Sequence, residues 1–265
     1  MTALLEVHGV SVDFGGLKAL DEIELEVPAG HIVGLIGPNG AGKTTLLECI
    51  AGFGRPTAGR VLYAERDITG LSPSARSRMG IVRSFQDARL FPGLTVHQVL
   101  ELAQERRSRS RLLSSAFRLP GNRRRERTQE GRADELVEAF GLSSHVDKLV
   151  GELSSGLRRA VDLACAVALA PDLLLLDEPS AGLAQAEAAA LGPVIQRVRD
   201  LTGATLVVVE HDMPLLMGMA DLVAVLDAGR LIAFGPPASV RADPAVIEAY
   251  LGSASSAADV HNGPA

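Results

Sequence analysis

A chain of 265 residues that is 47% hydrophobic and 22% charged can bury a large core, which excludes a disordered or fibrous protein. A membrane span needs roughly 18 uninterrupted apolar residues, and the apolar runs here end sooner, LACAVALA at Pro171 and Asp172 and LLLL at Asp177. The net charge of −6 conceals a segment from Glu105 to Arg132 with ten arginines and three glutamates, whose +7 leaves −13 for the remainder.

In chain order, MTALLEVHGVSVDFGG lacks a basic stretch followed by an apolar block, so no secretory signal is expected and the location is cytoplasmic. LLEVHGVSVDF, IELEVPAG, HIVGLIG and GRVLYAERDI read as strands, separated by turns at Gly and Pro. From Thr95 to about Ser155 the period becomes helical, in TVHQVLELAQ and RADELVEAFGL, and predicts an inserted helical subdomain. Next come a helix SGLRRAVDLACAVALA, a buried strand DLLLLDEP, a helix LAQAEAAALGPVIQRVRDL and a second apolar strand ATLVVVEHD. Helices alternating with wholly apolar strands imply a parallel sheet covered on both faces. The end, GSASSAADVHNGPA, is small and polar, and 253–265 are expected to be a disordered tail. Cys49 and Cys165 sit among apolar residues and receive no chemistry.

Gly37, Gly42, Lys43 and Thr44 fit GxxxxGK[ST] between a strand and a helix, in a chain with only three lysines. A glycine-rich turn would explain the glycines but not that order of elements. In a phosphate loop, backbone N–H groups of Gly40, Gly42, Lys43 and Thr44 point inward at phosphate oxygens, and the following helix adds its positive end. Lys43 reaches the β and γ phosphates, and the Thr44 hydroxyl ligates Mg²⁺. The candidate segment runs through Gly37, Pro38, Asn39, Gly40, Ala41, Gly42, Lys43, Thr44 and Thr45. At the end of LLLLDE, Asp177 is placed to hold Mg²⁺ and Glu178 to face the attacking water, although paired acids after a strand also cap helices. The carboxyl ends of parallel strands are where such sheets hold ligands, so the two segments are expected to meet.

With these motifs in order, the chain resembles the nucleotide-binding subunits of ATP-binding cassette (ABC) transporters over about residues 4–252, and within them the branched-chain amino acid importer ATPases. Further motifs carry the resemblance: RSFQ with Gln86, LSSGLRR at 153–159, SAGLA, VVVEHD with His211, the run EHDMPLLMGMADLVAVLDAGRLIAFGPP, and DPAVIEAYLG. It implies an α/β fold with a P-loop NTPase (RecA-like) core, an N-terminal antiparallel β-subdomain and an α-helical subdomain inserted at about 95–155, all within one ATP-binding domain over 1–252. By the same resemblance Phe14 stacks on adenine, where a core aromatic is the alternative. Gln86 joins Mg²⁺ and water and reports γ-phosphate occupancy to a transmembrane partner, and His211 contacts the γ-phosphate.

LSSGL departs from the family's usual LSGGQ at Ser155 and Leu157, while Ser154 and Gly156 remain at a helix start; alone they read equally well as helix caps. Ala184 stands where the family commonly has Asp. The resemblance implies an ATPase that dimerises head to tail around ATP, with Ser154 and Gly156 completing the other subunit's site. A heterodimer with a second ABC ATPase subunit is expected because LSSGL is degenerate; a homodimer is the alternative. The dimer would sit on the cytoplasmic face of the membrane and power permease subunits importing branched-chain amino acids or related amino acid and amide solutes, fed indirectly by a solute-binding protein. A soluble ABC-type ATPase uncoupled from transport is the competing reading. The arginine-rich insert, with Phe117 its one aromatic, reads as a solvated face or a lipid-facing segment rather than a nucleic-acid site.

Overall fold

Alternating apolar and polar residues build the first two strands, β1 (Ala3–Phe14) and β2 (Leu17–Pro28), with one face of each buried. Between Val7 and Val10 the alternation slips by one residue, and the register against β2 shifts at the same place. Without that irregularity, Val10 and Val12 would turn to solvent. The computed structural model describes residues 2–84, 91–105 and 135–250. The chain continues into β3 (Ile32–Ile36) and helix α1 (Lys43–Ala51), then returns to the first sheet as β4 (Ala58–Tyr63) and β5 (Arg66–Asp67). This sheet is antiparallel, in the order β2-β1-β4-β5. The run 59–68, which reads as one strand, is a hairpin: Ala64 and Glu65 both take positive φ, 47° and 63°, as a two-residue hairpin turn needs.

After α2 (Pro73–Arg78), β6 (Ile81–Arg83) and α3 (Val96–Glu105), the described chain resumes with a helical stretch at 135–139. It continues through α4 (Ser155–Ala168), β7 (Leu173–Asp177), α5 (Gln185–Thr202), β8 (Thr205–Val209), α6 (Met213–Met219), β9 (Leu222–Asp227), β10 (Arg230–Gly235) and α7 (Pro237–Arg241), and 244–250 are again helical. The second sheet runs β10-β9-β3-β8-β7-β6, parallel throughout except for the antiparallel β9–β10 hairpin. Every residue of β3, β7 and β8 is buried. Their side chains divide by twos between two cores, as a pleated strand requires. Leu174, Leu176, Leu206 and Val208 pack with α3, α4 and α5, whereas Leu173, Leu175, Val207 and Val209 pack with α1 and the inner face of β1 and β2. The sheet is therefore covered on both faces, as its apolar strands imply. Among the described residues no helix is long and apolar enough to cross a membrane. Gln86, the arginines of 106–132 with Phe117, and the tail 253–265 lie outside the described residues.

Arg76 is 1% exposed, with no carboxylate at hydrogen-bonding distance among the described residues. Its guanidinium donates to the carbonyls of Cys49 and Ile50 (2.8 Å) in the last turn of α1, and to Thr69 (2.9 Å) and Leu71 (3.1 Å) in the connection before α2. Carbonyls at a helix end lack intrahelical donors, and one planar cation satisfies four acceptors here. Arg76→Ala should lower stability by about 3 kcal/mol, because those acceptors stay buried without donors. Urea denaturation followed by circular dichroism reads this as a lower midpoint at unchanged slope; an unchanged midpoint would refute it.

Candidate nucleotide site

Residues 37–42 connect the carboxyl end of β3 to the first turn of α1, and main chain presses on this loop from two sides. A Cβ at residue 37 (φ 150°) would stand 2.0 Å from the carbonyl oxygen of Leu226 in β9, and one at residue 42 (φ 100°) would stand 2.5 Å from that of Ala19 in β2. Glycine is required at both positions by space as well as by dihedral angle. Ala41 accepts from the N–H of Gly229 (3.1 Å), and no side chain caps the first turn of α1. Lys43 is 6% exposed, and its Nζ donates to the carbonyls of Gly37 (2.7 Å) and Pro38 (3.0 Å). Burial lowers its pKa, while the charges of Glu178 and Asp177 act in the opposite direction, so the lysine and both acids belong to one site. The expected meeting of the two segments is realised.

Asp177 ends β7 opposite Val209 of β8. Its Oδ2 takes a 2.7 Å ion pair from Arg83 Nη2, with both side chains nearly buried. Glu178 extends the ladder by one bond, donating its N–H to the Val209 carbonyl (2.9 Å), and its φ of 47° is left-handed. A non-glycine residue held there stores strain on the order of 1 kcal/mol. Glu178 Oε1 lies 2.8 Å from Nε2 of His211, just past the end of β8, and both side chains reach solvent.

Phe14, at the end of β1, is 64% exposed, and its hairpin is turned by the Asp13 carboxylate accepting the Gly16 N–H at 2.7 Å. Two residues beyond that hairpin, the Ala19 carbonyl presses on Gly42. Ser154 is the N-cap of α4 and accepts the Leu157 N–H at 3.3 Å. At Gly156 a Cβ would lie 2.7 Å from Oε1 of Glu187, so this glycine admits the first turn of α5. Among the described residues no hydrogen bond joins Ser154 or Gly156 to residues 37–45. The chain thus gathers Lys43, Asp177, Glu178 and His211, and leaves Ser154 and Gly156 on a separate helix start. Ala184, the N-cap of α5, offers no side-chain cap.

Four functional neighbours lie in or beside the motifs and went unassigned in them. Arg83 pairs with Asp177, and Glu210 accepts from Ser180. Arg159, buried on α4, donates to the carbonyls of Pro179 (2.8 Å) and Glu178 (2.9 Å) and lies 3.5 Å from the carboxylate of Asp162. Burial raises the Tyr250 phenol above its ordinary value, opposed by a hydrogen bond with the backbone of Gly37. A charged residue abutting an apolar strand, as in VRS and VEHD, was the available signal for two of them.

A glycine loop ending in Lys43 between β3 and α1, with an acid pair at the end of β7, a parallel strand two places along the same sheet, defines a P-loop nucleotide-binding cassette. The ABC transporter family model matches residues 20–181, and that of the branched-chain amino acid ATP-binding cassette transporters matches 230–255. The chain is 40% identical over 251 residues (95% of this chain and 98% of the relative) to the high-affinity branched-chain amino acid transport ATP-binding protein LivG of Salmonella typhimurium. It is 38% identical over the same length to BraF, named likewise, of Pseudomonas aeruginosa. Two solved structures, a nucleotide-free ATP-binding cassette from an ABC transporter and the ADP conformation of such a cassette, superpose with TM-scores of 0.77 and 0.78. Both are 30% identical to this chain, covering 94% and 95% of it and 99% and 100% of themselves. The chain belongs to the ABC transporter family of ATP-hydrolysing cassettes.

Asp162 supplies a pH test of the Arg159 cluster. Burial pushes its carboxyl up to about 6 against the opposing charge of Arg159. The ordinary carboxyl value is about 3.9, so the folded chain holds a proton that the unfolded chain releases between about pH 4 and pH 6. The resulting stability is complete below that window and lost as pH rises through it. Relative to wild type, Asp162→Asn should therefore gain about 2 to 3 kcal/mol between pH 4 and pH 7 in urea titrations. A difference independent of pH would contradict the assignment.

Proposed function

We propose that this chain is the ATP-hydrolysing subunit of an importer for branched-chain amino acids or related amino acid and amide solutes. The observation that carries the catalytic part is the 2.8 Å pair of Glu178 and His211 beside Lys43 and Asp177. The solute class rests on the LivG and BraF relatives. Residues 1–252 act as one ATP-binding domain, with the helical region at about 95–155 as its inserted arm.

Backbone N–H groups of Gly40, Gly42, Lys43 and Thr44 and the start of α1 receive the phosphates, within the segment from Gly37 to Thr45, and Lys43 gives its ammonium to the β and γ groups. Phe14 stacks on adenine. Glu178 polarises the attacking water, and His211 holds the Glu178 carboxylate and reaches the γ-phosphate. Among the described residues no cluster of three or more His, Cys, Asp or Glu forms a metal cage. A single strand-end carboxylate beside the phosphate loop suits Mg²⁺, which takes few protein oxygens and completes its shell with phosphate and water. Thr44, Asp177 and Gln86 would hold it. When bound, it neutralises charge on the β and γ oxygens.

Ser154 and Gly156 serve the γ-phosphate of a second ABC ATPase subunit, a different one in the pairing we favour because of LSSGL. ATP closes this dimer and cleavage releases it. The movement drives transmembrane permease subunits at the cytoplasmic face, and a solute-binding protein delivers the cargo. No nucleic acid takes part. In the assembled transporter, Glu178→Gln should cut ATP turnover at least 100-fold while ATP still binds, and Lys43→Ala should weaken ATP binding itself. Phosphate release and nucleotide titration read these effects. Wild-type turnover in Glu178→Gln would end the catalytic reading, and ATP-dependent uptake that ignores leucine, isoleucine and valine would end the solute reading.

A further inference from the structure

Glu210 directly follows the last apolar residue of β8 and is 3% exposed. Its Oε1 accepts the Ser180 N–H at 2.7 Å; its Oε2 accepts the Ser180 hydroxyl at 2.8 Å and the His211 N–H at 3.1 Å. All three donors are neutral. Burying a carboxylate among neutral donors is costly, so the residue is better explained by what it aligns than by stability. We propose that Glu210 is a positioning residue for ATP hydrolysis, locking Ser180 and His211 so that the side chains of Glu178 and His211 meet. The proposal rests on the assignment of Glu178 and His211 made above.

The carboxylate joins two segments just past the last bond of the ladder between them, Glu178 N–H to the Val209 carbonyl. Ser180 lies two residues beyond Glu178, and Glu210 holds it by both main chain and side chain. Arg159 in turn holds the carbonyls of Glu178 and Pro179. The left-handed Glu178 thus lies between a carbonyl held by Arg159 and a serine held by Glu210. On the other segment, Glu210 fixes the main chain of His211, and Asp212 caps α6 by accepting the Leu215 N–H at 2.9 Å. With its main chain held on both sides, the imidazole is left to meet Glu178 Oε1 at 2.8 Å. The site demands an acceptor with two oxygens. In a glutamine the amide NH₂ would replace one of them and face at least one of the two main-chain N–H groups, donor against donor.

The test compares Glu210→Gln, Glu210→Ala, His211→Ala and the double variant Glu210→Gln/His211→Ala in the assembled transporter. We expect Glu210→Gln to lower kcat about tenfold and Glu210→Ala further, with the ATP dissociation constant within twofold of wild type. In the His211→Ala background the Glu210→Gln change should cost less than twofold, because its effect passes through His211. Wild-type kcat in Glu210→Gln, a loss that tracks weaker ATP binding and a lower melting temperature, or full additivity with His211→Ala would each overturn the proposal. If Glu178→Gln is inactive while Glu210→Gln is normal, this inference alone fails; if Glu178→Gln is active, the underlying assignment fails first.

Discussion

Main chain pressed against the phosphate loop from two sheets is the constraint on which the rest of the structure depends. The Leu226 carbonyl from the parallel sheet and the Ala19 carbonyl from the antiparallel one occupy the places where side chains at residues 37 and 42 would stand. Between them the turn of the β9–β10 hairpin is bonded both ways, Asp21 N–H to Gly229 and Gly229 N–H to Ala41. Strand backbone has no rotamers with which to give way, and cores yield little. The loop therefore takes its shape from the docking of the two sheets, and a ligand need not impose it. The parallel register then settles the chemistry: with Asp177 opposite Val209, the residues after β7 and β8, namely Glu178, Glu210 and His211, emerge at one edge.

Buried charges at this edge and at the far end of α1 belong to the same logic. Arg76 and Arg159 are both buried, and both direct most of their donors to carbonyls. Ion pairs removed from water gain little net free energy, because desolvation offsets attraction. A guanidinium bonded to several carbonyls instead holds segments of irregular backbone in one shape. Arg76 does so for the end of α1 and the chain before α2, and Arg159 for the strained residues after β7. Lys43 is directed to carbonyls too, but within the phosphate loop itself, its ammonium resting on Gly37 and Pro38.

Whether a feature was legible in the sequence depended on whether its signal was local. The five-residue apolar strands β3, β7 and β8, buried on both faces, stand out against any background, and GPNGAGKT between strand and helix identifies the loop at once. The β4–β5 hairpin does not, because Ala64 and Glu65 carry none of the residue types that mark a left-handed turn. Three-residue β6 is too short for a period, and the stretch 213–237 was legible only as a family motif, without its α6, β9 and β10. Within the site, Lys43, Asp177, Glu178 and His211 were legible because a motif names them. Glu210, Arg159 and Arg83 went unassigned, since each acts by bonding a segment distant in sequence: a charge abutting an apolar strand marks Arg83 and Glu210 but does not announce the partner.

Ser154 shows how two readings that look exclusive in sequence merge in structure. Its hydroxyl caps α4 by accepting the Leu157 N–H. A hydroxyl has one proton and two lone pairs, so capping consumes a lone pair and leaves the O–H to donate elsewhere. Among the described residues no acceptor takes it within the chain. The same cap aligns the first turn of α4, where Gly156 keeps the backbone bare and the adjacent Glu187 is drawn to the Ala184 N–H at 3.3 Å. A helix start built this way can donate to an oxygen anion supplied from outside without surrendering its own stability. Under the function proposed above, this helix start serves the γ-phosphate of a facing cassette, and among the described residues Ser154 makes no hydrogen bond to its own chain's loop.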